Sequence, residues 1–557
     1  MRHRLLPAIV CTAFAVACIT LAAAADLNRF NDAKFGLFIH WGAYSVRGVE
    51  ASWPLKSGQV PRAEYEALPQ RFNPVKFDAH AWAKLAKRAG MKYVVLTSKH
   101  HDGFAMYDTK LSDYSIMHTP FHRDVARELA DACRAEGLQF GFYFSLADWH
   151  NPDYPSLPDV GTNDPSFKPD PKRWERFRQF MFGQVREICS NYGPLWCIWF
   201  DGGWERTPEQ WGSADLCAMI RRLQPGILIN DRSGPGLGDY GTPEQTIPGA
   251  AMGRPWETCM TINNTWAYNP NDLAYKSSKD LIRSLVDIAG KGGNFLLDVG
   301  PTPEGTIQPE FVERLERMGQ WLHRNGEAIY GTHAAPRGIN PCGTATTKGN
   351  SLYLHVLTPP DGPLVVKGLD ARVLSARILA KREPAIFTQQ DGKVSIDLAS
   401  ADIDSYDAVV ALELDHPVMF DTLIKPDAQG NFMLLARDVI SHGGVCYQPQ
   451  YDDIGCWINP KDWISWGIAT PKSGEYLVVV SQSCPKGLGG SPYSVEIGGR
   501  KLEAIVQETN GWFEYPPREI GKVRLRAGQQ EVAIRTDKIV NGALMNVKSV
   551  ELRRIGN

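Results

Sequence analysis

Six short apolar runs, each closing on a polar side chain, punctuate the first part of this 557-residue chain. Phe35–Ile39 leads to His40, and Met91–Ser98 leads to Lys99-His100-His101. Phe140–Phe144 leads to Ser145, and Leu195–Phe200 leads to Asp201-Gly202-Gly203. Gly226–Ile229 leads to Asn230-Asp231-Arg232, and Phe295–Leu297 leads to Asp298. Runs this short, bounded by Gly and Pro, read as strands buried on both faces. Helical stretches separate them, as in Trp174, Phe177, Met181, Val185 and Ile188 at three- and four-residue steps. Strand–helix alternation over about 300 residues predicts an α/β fold with a parallel sheet, closed as a (β/α)8-like barrel. A doubly wound open sheet would place a Gly-rich phosphate turn after the first strand, and His40-Trp41-Gly42-Ala43 is nothing of that kind. A further strand is expected near Pro255-Trp256-Glu257.

The texture changes after Thr332. Segments such as Ser351–Leu357 alternate apolar and polar residues, and helical periodicity vanishes up to about Pro417. Two antiparallel β-sandwich domains are expected behind a barrel at 26–333: a small one at 334–418 and a carbohydrate-binding-like one at 419–557. In the latter, Trp457, Trp463, Trp466 and Trp512 are either core residues or a stacking platform.

Residues 1–25 read as a signal peptide outside the fold. Arg2 and Arg4 open it, Leu5–Leu21 is almost wholly apolar, and Ala22–Ala25 supply the small residues of a cleavage site. A lipoprotein-type site at Cys18 is the weaker alternative, so the mature chain is expected to be exported, periplasmic or secreted. No later stretch is long and apolar enough to span a bilayer. A formal net charge of −2, with no long run of one sign, makes nucleic acid and acidic membrane surfaces poor partners. Beyond the leader no CxxC pair occurs, which argues against structural zinc. Cys446 and Cys456 are candidates to pair in an oxidising compartment, which spacing alone does not decide.

If the barrel closes, its strand ends bring His40, His100, His101, Tyr143, Asp201, Arg232 and a loop acid to one mouth. A His-His pair without HExxH or a carboxylate triad is a weak metal half-site, and no metal or cofactor is expected. Buried polar side chains in a ring need partners, and a polyhydroxylated ligand supplies them.

These residues fall in motifs that resemble the α-L-fucosidases of glycoside hydrolase family 29. The motifs are Gly36–Gly42, Lys99–Phe104, Trp199–Gly202, Asn230–Arg232 and Asp239–Glu244, in that order. The resemblance implies a retaining exo-α-L-fucosidase acting on fucosylated oligosaccharides or polysaccharides. It implies that Asp201 is the nucleophile and Glu244, in Thr242-Pro243-Glu244, the acid/base, with Glu257 as the rival acid. His40, His100, His101, Tyr143, Trp199 and Arg232 would hold sugar hydroxyls and position Asp201, while Trp266 packs against the methyl-bearing face. Many relatives carry a sugar-binding Glu-Trp pair where this chain has Ser52-Trp53, and Glu50 is the candidate replacement for the missing acid. That departure keeps an α-L-galactosidase or related deoxy-sugar glycosidase in view. A fucose-binding protein without catalysis is the alternative from another class.

Overall fold

The computed structural model describes residues 27–155, 170–234, 236–249, 254–335, 338–369, 371–390, 392–398, 406–418, 423–442, 444–448 and 451–556. The expected signal peptide lies outside them. The described part divides into two compact units, the first made of residues up to 246 with 257–288 and 294–331.

Seven parallel strands form the frame of the first unit: β1 (Phe35–Ile39), β2 (Tyr93–Lys99), β3 (Gln139–Ser145), β4 (Cys197–Asp201), β5 (Leu228–Ile229), β6 (Glu257–Thr261) and β7 (Asn294–Val299). Their order across the sheet is β5-β4-β3-β2-β1-β7-β6. Crossover segments carry α1 (Ala79–Arg88), α2 (Val125–Ala135), α3 (Pro171–Asn191), α4 (Ser213–Leu223) and α5 (Ser278–Gly290), and α6 (Pro309–Asn325) follows β7. The first three helices start where the sequence supplies an aspartate cap. Asp78, Asp124 and Asp170 accept from the backbone N–H of Ala81, Arg127 and Arg173, each cap being worth about 1 kcal/mol. Phe38, Tyr93, Val95, Tyr143, Trp199, Tyr240 and Leu296 pack into one buried cluster.

The gap between edge strands β5 and β6 is bridged by an extended segment that the hydrophobic pattern does not announce. Asp239 donates its N–H to the Ile229 carbonyl at 2.7 Å. On the other side, Gly241 and Pro243 accept from the N–H groups of Glu257 and Cys259 at 2.9 and 3.1 Å, and Gln245 donates to Cys259 at 2.9 Å. Residues 239–245 therefore run as an irregular strand between β5 and β6. Because all the strands are parallel, His40, His100, Asp201, Arg232 and Asp298 stand at one end of the sheet.

The second unit comprises 332–557 with 247–256 and 289–293. It holds antiparallel sheets around two separate apolar cores. Leu352, Leu354, Val366, Val394, Val410 and Leu412 belong to the first core; Trp457, Ile464, Trp466, Val478, Val532 and Val550 belong to the second. Trp457 and Trp466 are thus core residues and not a platform. Trp463 is sandwiched between the His442 ring at 3.4 Å and the Arg535 guanidinium at 3.3 Å. Cys456 is exposed, while the side chain of Cys446, its candidate partner, lies outside the described residues. Among the described residues no helix is long and apolar enough to cross a membrane.

Candidate active site

Asp201 is the last residue of β4 and only 8% exposed. The chain must turn away at once, and Gly202 does so in the left-handed region at φ 71°. A Cβ there would sit 2.9 Å from the Ser145 hydroxyl and 3.0 Å from the Ala147 nitrogen, so the turn excludes a side chain. A carboxylate this buried needs compensation. Tyr143 donates its hydroxyl to Oδ2 at 2.9 Å, and Arg232 Nη1 donates to Oδ1 at 3.0 Å. His101 Nε2 lies 3.8 Å from Oδ2.

Three imidazoles are anchored alike. Nδ1 of His40 meets Asp298 Oδ1 at 2.7 Å, Nδ1 of His100 meets the Ser52 hydroxyl at 2.6 Å, and Nδ1 of His101 meets the Ser145 hydroxyl at 2.7 Å. Each Nδ1 is thereby taken, leaving Nε2 as the ring nitrogen for other partners. Ser145 already gives its proton to the Ala147 carbonyl at 2.8 Å, so it accepts from His101 Nδ1–H. Burial first, then neighbouring positive groups, hold His100 and His101 well below the usual imidazole pKa. Nε2 of a neutral His101 is therefore an acceptor, suited to a ligand hydroxyl. Asp298 has its own pKa pushed up to about 6 by burial, against the pull of His40.

Glu244 lies on the segment between β5 and β6 and has a half-exposed side chain, at 44%. Arg232 joins it to Asp201: Nη1 is on Asp201, while Nη2 meets Glu244 Oε2 at 2.8 Å. Arg232 Nε also donates to the Thr242 hydroxyl at 3.1 Å. The guanidinium rests on the Trp199 ring, 4.5 Å from its centroid. Trp199 was expected to hold a sugar hydroxyl, but its single N–H is committed to Glu257 Oε1 at 3.1 Å and the ring is buried. Its place is beneath Arg232. Glu257, the rival acid, opens β6 and so stands at the opposite end of the strands from Asp201. It accepts from Trp199 and from the Tyr93 hydroxyl, is 1% exposed, and has its pKa pushed up to about 7 by burial. A leaving group at the mouth is out of its reach.

Glu50, the candidate replacement for the missing acid, lies beside Trp266. Both its oxygens accept from the backbone N–H of Trp266 at 3.0 Å. Burial pushes its pKa up to about 7 against that bond and the nearby His40. Trp266 lies 5.0 Å from the His40 ring and 6.2 Å from Phe38, on the His40 side of the mouth. Ser52 braces His100. Trp53 is 37% exposed, stacks on Trp204 at 6.3 Å and 12°, and meets the edge of His101 at 5.4 Å. Beside the mouth a cleft of about 710 Å³ is lined by Trp204, Pro208, Glu209, Asp231, Arg232 and Leu237 among others.

The anchoring roles of Asp298, Ser52 and Ser145 escaped the reading of the sequence. Ser145 and Asp298 carried a signal only as polar residues closing apolar runs. Among the described residues no group of three or more His, Cys, Asp or Glu side chains could hold a metal ion.

Comparison with known proteins places this geometry in context. The profile of the family described as Alpha-L-fucosidase matches residues 16–327. The plasma α-L-fucosidase of Homo sapiens is 34% identical over 336 residues, covering 55% of this chain and 69% of the relative. Among solved structures, α-L-fucosidase isoenzyme 1 from Paenibacillus thiaminolyticus superposes with a TM-score of 0.67 at 39% identity, over 71% of this chain and 100% of that one. A trapped covalent intermediate of a GH29 α-L-fucosidase from Bacteroides thetaiotaomicron, in complex with 2-fluoro-fucosyl fluoride, superposes with a TM-score of 0.65 at 29% identity, over 70% and 96%.

Proposed function

The chain belongs to the α-L-fucosidase family of glycoside hydrolases, and from that premise we propose that it is an exported exo-enzyme releasing terminal α-L-fucose from glycans with retention of configuration. Asp201 sharing Arg232 with Glu244 carries the reading. A retaining mechanism needs two carboxyl groups about 5–5.5 Å apart, and a single guanidinium binding one carboxylate at each end imposes a spacing of that order. The Bacteroides relative, trapped as a covalent intermediate, supports the same course.

In this account Asp201 attacks C1 of the sugar while Glu244 gives its proton to the departing glycosidic oxygen. Glu244, as carboxylate, then takes a proton from the water that attacks C1 and frees Asp201. Glu244 suits the role because it is half-exposed where a leaving group departs. Arg232 and Tyr143 hold the nucleophile aligned, and Nε2 of His40, His100 and His101 receive sugar hydroxyls. The wall made by Phe38 and Trp266 takes the methyl group. The first unit is read as an eight-position barrel with residues 239–245 as the irregular strand, and 334–418 and 419–557 as two sandwich domains. Residues 1–25 are read as the leader that exports the chain.

Purified chain is assayed on an aryl α-L-fucoside beside Asp201→Ala, and Asp201→Gly is supplied with azide. Loss of activity with Asp201→Ala, and rescue giving an inverted fucosyl azide, are expected. Equal rates for wild type and Asp201→Ala would refute the assignment. Because Ser52 replaces the acid of the Glu-Trp pair, the aryl α-L-galactoside is run in parallel, and a preference for it would move the activity to α-L-galactosidase.

A further inference from the structure

The second unit contains a pocket of about 250 Å³ that the hydrolytic chemistry does not use. Its rim carries Tyr451 and Phe513, which are 44% and 60% exposed with ring centroids 4.3 Å apart. Half-buried Trp512 and exposed Ile458 complete the apolar wall. Exposed aromatics clustered around a concavity mark a binding surface more than a packing remnant.

The other side of the pocket is polar and uncharged. The amides of Gln448 and Asn546 line it, and its lining residues include no Asp, Glu, Lys, Arg or His. These amides owe their position to Gly455, where a Cβ would lie 2.5 Å from Gln448 Oε1 and 3.0 Å from Asn546 Oδ1. Behind them sits Asp453, fully buried, whose Oδ2 accepts from Asn546 Nδ2 at 2.7 Å and from the Tyr515 hydroxyl. Its Oδ1 has no hydrogen-bond partner among the described residues. A buried carboxylate so sparsely paired is costly, and here it fixes the orientation of an amide facing a pocket. The neighbouring residues Asp452 and Cys456 both hold positive φ, at 50° and 61°, in the segment that forms the rim.

We propose that this pocket is a non-catalytic site for a neutral pyranose ring of the glycan, stacked on Tyr451 and Phe513 and hydrogen-bonded by Gln448 and Asn546. A charged ligand would find no counter-charge in the lining. A wholly apolar ligand would add nothing to the weak bonds that Gln448 makes to Cys456 and Asn546, at 3.7 and 3.5 Å, and would cover its amide. A pyranose has the required two faces, with C–H groups for the rings and hydroxyls for the amides. The inference rests on the glycan substrate proposed above, and it assigns this unit the task of holding chain residues other than the reacting fucose.

The test titrates the full chain bearing Asp201→Ala with methyl β-D-galactopyranoside, methyl β-D-glucopyranoside and methyl α-D-mannopyranoside, followed by calorimetry and saturation-transfer NMR. At least one glycoside is expected to bind with a Kd in the millimolar range. Phe513→Ala and Tyr451→Ala should each weaken it about tenfold, while Phe513→Tyr retains it. Both alanine changes remove exposed rings, and circular dichroism checks that the fold persists. In the active chain the same changes should leave kcat/KM on an aryl α-L-fucoside unaltered and raise KM on a fucosylated oligosaccharide. No binding of any of the three, or binding indifferent to both alanine changes, overturns the proposal without touching the hydrolase reading. Binding, together with a wild-type chain that hydrolyses no fucoside, overturns the hydrolase reading and leaves this site standing.

Discussion

Replacing Glu257 by glutamine isolates the cost of a carboxyl buried at the end of the strands opposite Asp201. Burial pushes the pKa of this group from 4.5 to about 7. Between those values the folded chain keeps a proton that the unfolded chain has released. Stability therefore falls as pH rises through that window and levels off above it. At about 1.4 kcal/mol per unit, the loss amounts to about 3 kcal/mol. Glutamine mimics the neutral acid, keeps an oxygen for the Trp199 N–H, and has no proton to lose. Glu50, Asp102 and Asp298, also raised by burial, titrate in both proteins and cancel in the difference. Thermal unfolding followed by circular dichroism at pH 4.5 and pH 8 measures it. The Tm of Glu257→Gln relative to wild type should rise by roughly 5–10 °C between the two pH values. A Tm difference that is the same at both would refute the buried, proton-retaining carboxyl.

Three further outcomes follow from the site. Glu244→Ala should slow hydrolysis of a fucoside with a poor leaving group by about 10²–10⁴-fold, spare one with a good leaving group, and erase the alkaline limb of the pH–rate profile; equal losses on both substrates would contradict the acid/base role. Arg232→Lys keeps the charge but cannot set one nitrogen on each carboxylate, so kcat should fall about 100-fold. A change confined to KM would count against Arg232 as the element aligning Asp201. Ser52→Ala removes the 2.6 Å partner of His100 Nδ1 and should raise KM for the aryl fucoside about tenfold at nearly unchanged kcat, whereas an unchanged KM would show that Ser52 does not orient that ring.

Much of the frame was legible in the sequence because buried parallel strands are short, apolar and closed by polar residues. β1, β2, β3, β4, β5 and β7 each overlap one of the six runs. α6 begins at Pro309 and ends at Asn325, as its proline and following Gly326 suggest. β6 was only glimpsed, because Glu257-Thr258-Cys259-Met260-Thr261 carries polar residues that face interior partners instead of water. α4, between β4 and β5, went unplaced. Residues 239–245 looked like a loop, since Gly, Thr and Pro hide a segment whose strand character rests on hydrogen bonds to neighbours distant in sequence. The site residues were visible as types, but their division of labour was not. That Trp199 faces Glu257 with its N–H and Arg232 with its ring, or that Ser52 holds His100, depends on side chains meeting across strands. Neither contact leaves a local pattern.

The most direct measurement of the central claim is to trap the covalent glycosyl-enzyme. Wild-type chain is incubated with 2-fluoro-fucosyl fluoride, digested with protease, and mapped by mass spectrometry. The account predicts one added fluorofucosyl group per chain, carried by the peptide that contains Asp201 and absent from Asp201→Ala. An adduct on any other carboxylate, or turnover of the aryl fucoside by Asp201→Ala at the wild-type rate, would contradict it.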